Sequence, residues 1–120
     1  MSYWGYHVML DCSKGDLDKV RSGENITAFV KALVPAIDMI AYGEPMVVHF
    51  ATHADDKAGF SLCQMIETSN ITGHFVDING DFYIDVFSCK PVDIGICEDM
   101  ARQYFNPEKI RVNFLTRNAG

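Results

Sequence analysis

A chain of 120 residues is long enough for one domain with one core. It can bury roughly two-thirds of its unfolded surface, so neither a disulfide nor a metal is needed to hold it. Its apolar fraction of 48% is that of an ordinary globular protein, and its net charge of −6 excludes the basic footprint that nucleic-acid binding requires.

Met1–Gly5 has neither the basic region nor the apolar stretch of a signal peptide. Cys12, Cys63, Cys89 and Cys97 form no CxxC pair. Together these predict free thiols in a cytoplasmic protein. The apolar-rich stretch 26–42 is interrupted by Lys31, Pro35 and Asp38, so no membrane-spanning helix is expected.

His7 to Cys12 reads as a first strand, and Ser13 to Gly23 as a polar connector. Asn25 is a candidate cap for a helix over Ile26 to Ile40. There Phe29, Val30, Leu33, Ile37 and Ile40 share one face, and Pro35 should kink or split the helix. Gly43-Glu44-Pro45 should stop it, and Met46 to Ala51 follows as a strand. Ala58 to Glu67 and Ile71 to Asp77 read as two more strands, joined through the hydroxyl cluster Thr68-Ser69. Asn79-Gly80 predicts a tight hairpin, because both residues tolerate positive φ. Asp81 to Cys89 is the return strand, with Phe82, Ile84 and Val86 on one face. A second helix over Asp93 to Phe105 ends at Asn106-Pro107, and Lys109 to Leu115 is the last strand. The order β-α-β-β-β-β-α-β predicts an α+β fold, a mainly antiparallel sheet with two helices packed on one face.

Few side chains in this pattern carry chemistry on their own. Asp77 to Asp81 has its glycine in the wrong place for a calcium loop, and no glutamate closes it. His49 and His53 lack a third ligand of matching spacing, so no metal is expected. Ser61, Ser69, His74 and Cys89 are each ordinary strand residues when taken singly. His7 on the first strand is a structural histidine or a pocket wall.

Their spacing is distinctive. Gly59-Phe60-Ser61 precedes Ser69 by eight residues, His74 follows it by five, and Asp85-Val86-Phe87-Ser88-Cys89 ends twenty residues after it. With the opening Gly5-Tyr6-His7 and Asp11 four residues on, this pattern resembles the small bacterial and archaeal type of S-adenosylmethionine decarboxylase, a pyruvoyl enzyme. The resemblance covers nearly the whole chain. It implies that Ser69 attacks the carbonyl of Thr68 and that the chain cuts itself there, into a β chain 1–68 and an α chain 69–120. A pyruvoyl group made from Ser69 would then be the only cofactor, and would form a Schiff base with the substrate. By the same resemblance His74 is the base of the processing step, Ser61 supports its oxyanion, and Cys89 is the proton donor in catalysis. His7, Asp11 and Asp77 are placed as substrate contacts.

The implied protein is a zymogen and a homodimer, with S-adenosylmethionine as substrate and the aminopropyl donor for spermidine as product. Two positions depart from the family pattern: Thr68 stands where a glutamate is usual, and Ile78 where an acidic residue binds the substrate ribose. A pyruvoyl decarboxylase of ornithine or arginine, and an unprocessed homologue acting as a binding or regulatory subunit, therefore remain as alternatives.

Overall fold

Nine elements follow one another: β1 (Gly5–Ser13), α1 (Leu17–Val20), α2 (Gly23–Ala36), β2 (Ala41–Phe50), β3 (Gly59–Ile66), β4 (Ser69–Val76), β5 (Phe82–Ser88), α3 (Ile94–Phe105) and β6 (Lys109–Arg117). The computed structural model describes residues 3–120; Met1 and Ser2, part of the segment read for a signal peptide, lie outside the described residues. All strands join one sheet in the order β2-β3-β4-β5-β1-β6. Every neighbouring pair is antiparallel. This is the α+β layer that the sequence predicts.

Alternation along the strands explains why the helices lie where they do. Val8, Leu10 and Cys12 of β1, Leu62 and Ile66 of β3, Ile71 and Phe75 of β4, and Phe82, Ile84 and Val86 of β5 are buried. They form one cluster with Ile26, Phe29, Val30 and Leu33 of α2 and with Cys97, Ala101 and Phe105 of α3. The rings of Phe75, Phe82 and Phe105 meet there with centroids 4.8 to 5.5 Å apart. The intervening residues lie on the other face, which no helix covers. His7, Asp11, Ser61 and His74 stand on it among the exposed apolar side chains of Met46, Val48, Met65, Tyr83 and Leu115. Among the described residues no helix is long and apolar enough to cross a membrane.

Five local expectations change. The connector after β1 holds a short helix, α1, because the Asp16 side chain accepts from the Asp18 N–H and caps it. Ser22, not Asn25, caps α2, its Oγ accepting from the Asn25 N–H at 3.0 Å. Pro35 does not split that helix. It sits in the last turn, one residue before the helix ends at Ala36, so the missing N–H and the clash with the preceding turn fall where the helix stops rather than in its middle. β2 begins at Ala41, with Gly43-Glu44-Pro45 absorbed into a bulge between Tyr42 and Met46. The Asn79-Gly80 pair does not make a two-residue hairpin. The last β4–β5 pair is Phe75 with Phe82, and only Gly80 has positive φ, at 80°. Asn79 instead turns the chain locally, its Oδ1 accepting from the Asp81 N–H.

Candidate active site

β3 and β4 are joined by two residues, Glu67 and Thr68, with Ile66 paired to Ser69. Two-residue hairpins ordinarily use turns with positive φ inside the loop, which favour glycine or asparagine. Neither loop residue is of that kind and neither has positive φ; the positive value falls on Ser69, at 153°. Side chains avoid that region, at a cost on the order of 1–3 kcal/mol.

The torsion has a geometric consequence at Ser69. In an L-residue Cβ is offset from the carbonyl carbon by about 120° around the N–Cα bond. The torsion from the Thr68 carbonyl carbon to Ser69 Cβ is therefore φ, 153°, less that offset, or about 33°. An ordinary antiparallel φ of about −140° would give about 100°. A five-membered ring closes only on a shallow torsion, so rotation about Cα–Cβ can bring Ser69 Oγ onto the Thr68 carbonyl carbon.

The oxygen of that carbonyl is already engaged. Ser69 pairs with Ser88 of β5, which carries Cys89 alongside the Thr68–Ser69 peptide. The Cys89 backbone N–H donates to the Thr68 oxygen at 2.9 Å, polarising the carbonyl and offering a donor to an oxyanion formed there. The Cys89 side chain is exposed. Lys90 anchors this strand end, its Nζ lying 2.7 Å from Asp38 Oδ2 in the turn after α2. The Lys90 hydrogen bond, and then its charge, hold the Asp38 carboxyl below its ordinary range.

Ser61 and His74 face each other across the β3–β4 ladder. His74 Nε2 lies 2.7 Å from the Lys57 carbonyl oxygen, which can only accept, so Nε2 carries the proton. Nδ1 then faces Ser61 Oγ at 2.9 Å. This pair is well suited to take up a proton. It is not beside Ser69, however. Five residue steps along β4 separate them, about 17 Å in all.

The remaining candidates divide between the two ends of the open sheet face. His7 lies toward Ser69, as its neighbour Tyr6 pairs with Ser88. Its Nε2 lies 3.0 Å from Asp85 Oδ1. Asp11 lies toward His74, since both have Tyr83 as a cross-strand partner. It lines a cavity of about 310 Å3 with Asp81, Tyr83, Lys109 and Arg111. Asp77 follows β4, and its Oδ2 is 2.6 Å from His49 Nε2. Ile78 beside it is exposed.

The model of the S-adenosylmethionine decarboxylase family matches residues 6–118. The chain belongs to the S-adenosylmethionine decarboxylase family. It is accordingly a decarboxylase, a lyase. An S-adenosylmethionine decarboxylase proenzyme of Clostridium botulinum strain Hall is 30% identical over 118 residues, 98% of this chain and 85% of that protein. The proenzyme of the Langeland strain is 32% identical over 90 residues, 75% of this chain and 72% of that one. The crystal structure of the adenosylmethionine decarboxylase from Aquifex aeolicus VF5 superposes with a TM-score of 0.81 over all of this chain and 95% of that one. At 20% identity that likeness bears on the fold.

Several features of this family member carried no usable signal in the sequence. The Cys89 N–H and the Lys57 carbonyl belong to the backbone and could not be read from residue types. Asp85 lies in the run that ends at Cys89, but nothing in the spacing pairs it with His7. Cys12 and Cys97 are separated from the chemistry: burial, more than neighbouring charge, pushes both thiols up to about 12.

Proposed function

We propose that the chain is a self-processing decarboxylase of S-adenosylmethionine, in which Ser69 becomes a pyruvoyl group and the product is the aminopropyl donor for spermidine synthesis. The observation that carries this reading is the Ser69 φ of 153° beside a carbonyl already held by the Cys89 N–H.

Ser69 Oγ gives up its proton and adds to the Thr68 carbonyl carbon. The tetrahedral adduct collapses with cleavage of the C–N bond, and the nitrogen takes up a proton. The peptide has become an ester with no change in composition. Loss of the Ser69 α-proton and departure of the Thr68 carboxylate leave dehydroalanine at the new N-terminus. Tautomerisation and addition of water then release ammonia and leave the pyruvoyl group. His74, turned by Lys57 to present Nδ1, is the base of this sequence, and Ser61 supports the charge that forms on oxygen.

The pyruvoyl carbonyl supplies the electron sink for loss of CO2 from an α-amino acid. The exposed Cys89 thiol returns a proton to the α-carbon. His7, oriented by Asp85, contacts substrate at the Ser69 end, and Asp11 does so from the cavity at the other end. Asp77 could contact substrate only by giving up His49.

Two observations support a homodimer. The open sheet face exposes Met46, Val48, Met65, Tyr83 and Leu115, an apolar surface with no cover. Ser69, with Cys89 beside it, and His74, with Ser61 beside it, lie about 17 Å apart along β4. A second copy packed face to face brings its own His74 to Ser69.

The alternatives of a basic amino acid as substrate and of an unprocessed subunit gain no support from relatives named as S-adenosylmethionine decarboxylase proenzymes. CO2 release from carboxyl-labelled S-adenosylmethionine, ornithine and arginine, measured in parallel, tests the reading. It predicts release from the sulfonium compound alone, abolished in Ser69→Ala. Release from a basic amino acid, or none from any of the three, would overturn it.

A further inference from the structure

Two hydroxyls lie against the peptide that breaks. Ser88, in register with Ser69, is fully buried, and its Oγ donates to Thr68 Oγ1 at 2.7 Å. Thr68 Oγ1 donates onward to Met39 Sδ at 3.3 Å, and Ser88 Oγ accepts from the Lys90 N–H at 3.0 Å. Met39 is itself buried. With the Cys89 N–H on its carbonyl, Thr68 is held through both side chain and main chain by residues 88–90.

Such a grip is needed here. A positive φ on a serine persists only where the surroundings over-determine it. A two-residue loop free to rotate its peptide would move that torsion elsewhere. If the loop relaxed, the buried Ser88 O–H would exchange its 2.7 Å acceptor on Thr68 for the longer contact to Met39 Sδ at 3.6 Å, a weaker partner in a site closed to water.

We infer that Ser88 is a positioning residue for self-cleavage: through Thr68 Oγ1 it holds the Thr68–Ser69 peptide at the torsion that lets Ser69 Oγ reach the carbonyl carbon. The inference rests on the reading that this bond is the one that breaks. Ser88 exchanges no proton in the step. The acyl shift remains an isomerisation in which the Ser69 Oγ proton leaves to a base and the Ser69 nitrogen gains one. Thr68 is part of the device, because its Oγ1 is the atom that Ser88 grips.

The test uses the full chain made by cell-free synthesis, with cleavage followed as the first-order appearance of the 69–120 mass. Ser88→Ala and Thr68→Val should each slow cleavage by about tenfold or more, whereas Ser88→Thr and Thr68→Ser, which keep a hydroxyl, should stay within about threefold of wild type. The double variant Ser88→Ala/Thr68→Val should be no slower than the slower single, because both remove one contact. In hydroxylamine, which traps the ester as a 1–68 hydroxamate, Ser88→Ala should yield less trapped product and Ser88→Thr should restore it. Melting in a Ser69→Ala background separates loss of fold from loss of positioning. Should Ser88→Ala fail to fold, the contrast between Thr68→Val and Thr68→Ser reads the same contact. If wild type cleaves and both hydroxyl-deleting variants match it within about threefold, the inference is overturned. A wild-type chain that never cleaves contradicts the parent reading instead, and the positioning role falls with it.

Discussion

Cys89 meets the proposed centre twice, by a backbone N–H on the Thr68 oxygen and by an exposed thiol. The two roles separate under substitution. Cys89→Ala keeps the N–H, so the chain should still cut itself, while decarboxylation falls by about 10²–10⁴ with the loss of a general acid; intact mass and CO2 release read the two effects independently. The four thiols separate as well. Iodoacetamide at pH 8 should leave Cys12 and Cys97 unmodified in the folded protein and modify all four cysteines after unfolding, counted by mass. For Cys12 and Cys97 the folded pKa lies above the ordinary 9.0, at about 12. The folded state then binds more protons above pH 9, so stability should fall as pH rises from about 9 toward 12. At this scale spacing alone singled out Ser61, Ser69, His74 and Cys89, the side chains the proposed mechanism uses. The sequence could not expose the Ser69 φ, because a serine in a run of hydroxyls carries no mark of its torsion. Nor could it expose the Ser88–Thr68 contact, which exists only once β4 and β5 are in register.

The spacings that looked like a motif are strand registers. Ser61 and His74 are thirteen apart because a two-residue loop makes them cross-strand partners, and Ser69 and Cys89 lie close because Ser69 pairs with Ser88. Gly59 guards one end of this arrangement. A Cβ there would drive into the Phe75 carbonyl oxygen, which is backbone and cannot step aside. Gly59→Ala should part the β3–β4 ladder near His74 and cost about 3 kcal/mol or more, read by denaturant unfolding. Among the elements, alternation was enough to place the strands apart from the start of β2, and the Asn106-Pro107 stop bounded α3. The sequence was silent where side chains arbitrate locally: an Asp16 cap makes α1 out of a connector, and a bulge takes in the Gly43-Glu44-Pro45 stop. Asn79-Gly80 misled for a related reason. The Asn79 side chain satisfies the Asp81 N–H in a longer turn and leaves the tight hairpin unmade.

The proposed self-cleavage at Thr68–Ser69 would divide the chain between β3 and β4, yet it would not divide the sheet. β1 comes from the first product and lies between β5 and β6 of the second, and β3 pairs with β4 across the cut. The products should therefore co-elute as one particle until denatured. The dimer has its own test. When Ser69→Ala and His74→Ala chains are co-expressed, a site that draws His74 from the partner subunit is restored in mixed dimers, and the His74→Ala chain should be cut. Cleavage confined to one chain predicts none. The most direct test of the account as a whole is an intact mass of the wild-type protein under denaturing conditions. It predicts two species, 1–68 with a free carboxylate and 69–120 with a carbonyl where its amine would be. A single full-length mass that persists on long incubation, indistinguishable in behaviour from Ser69→Ala, would contradict it.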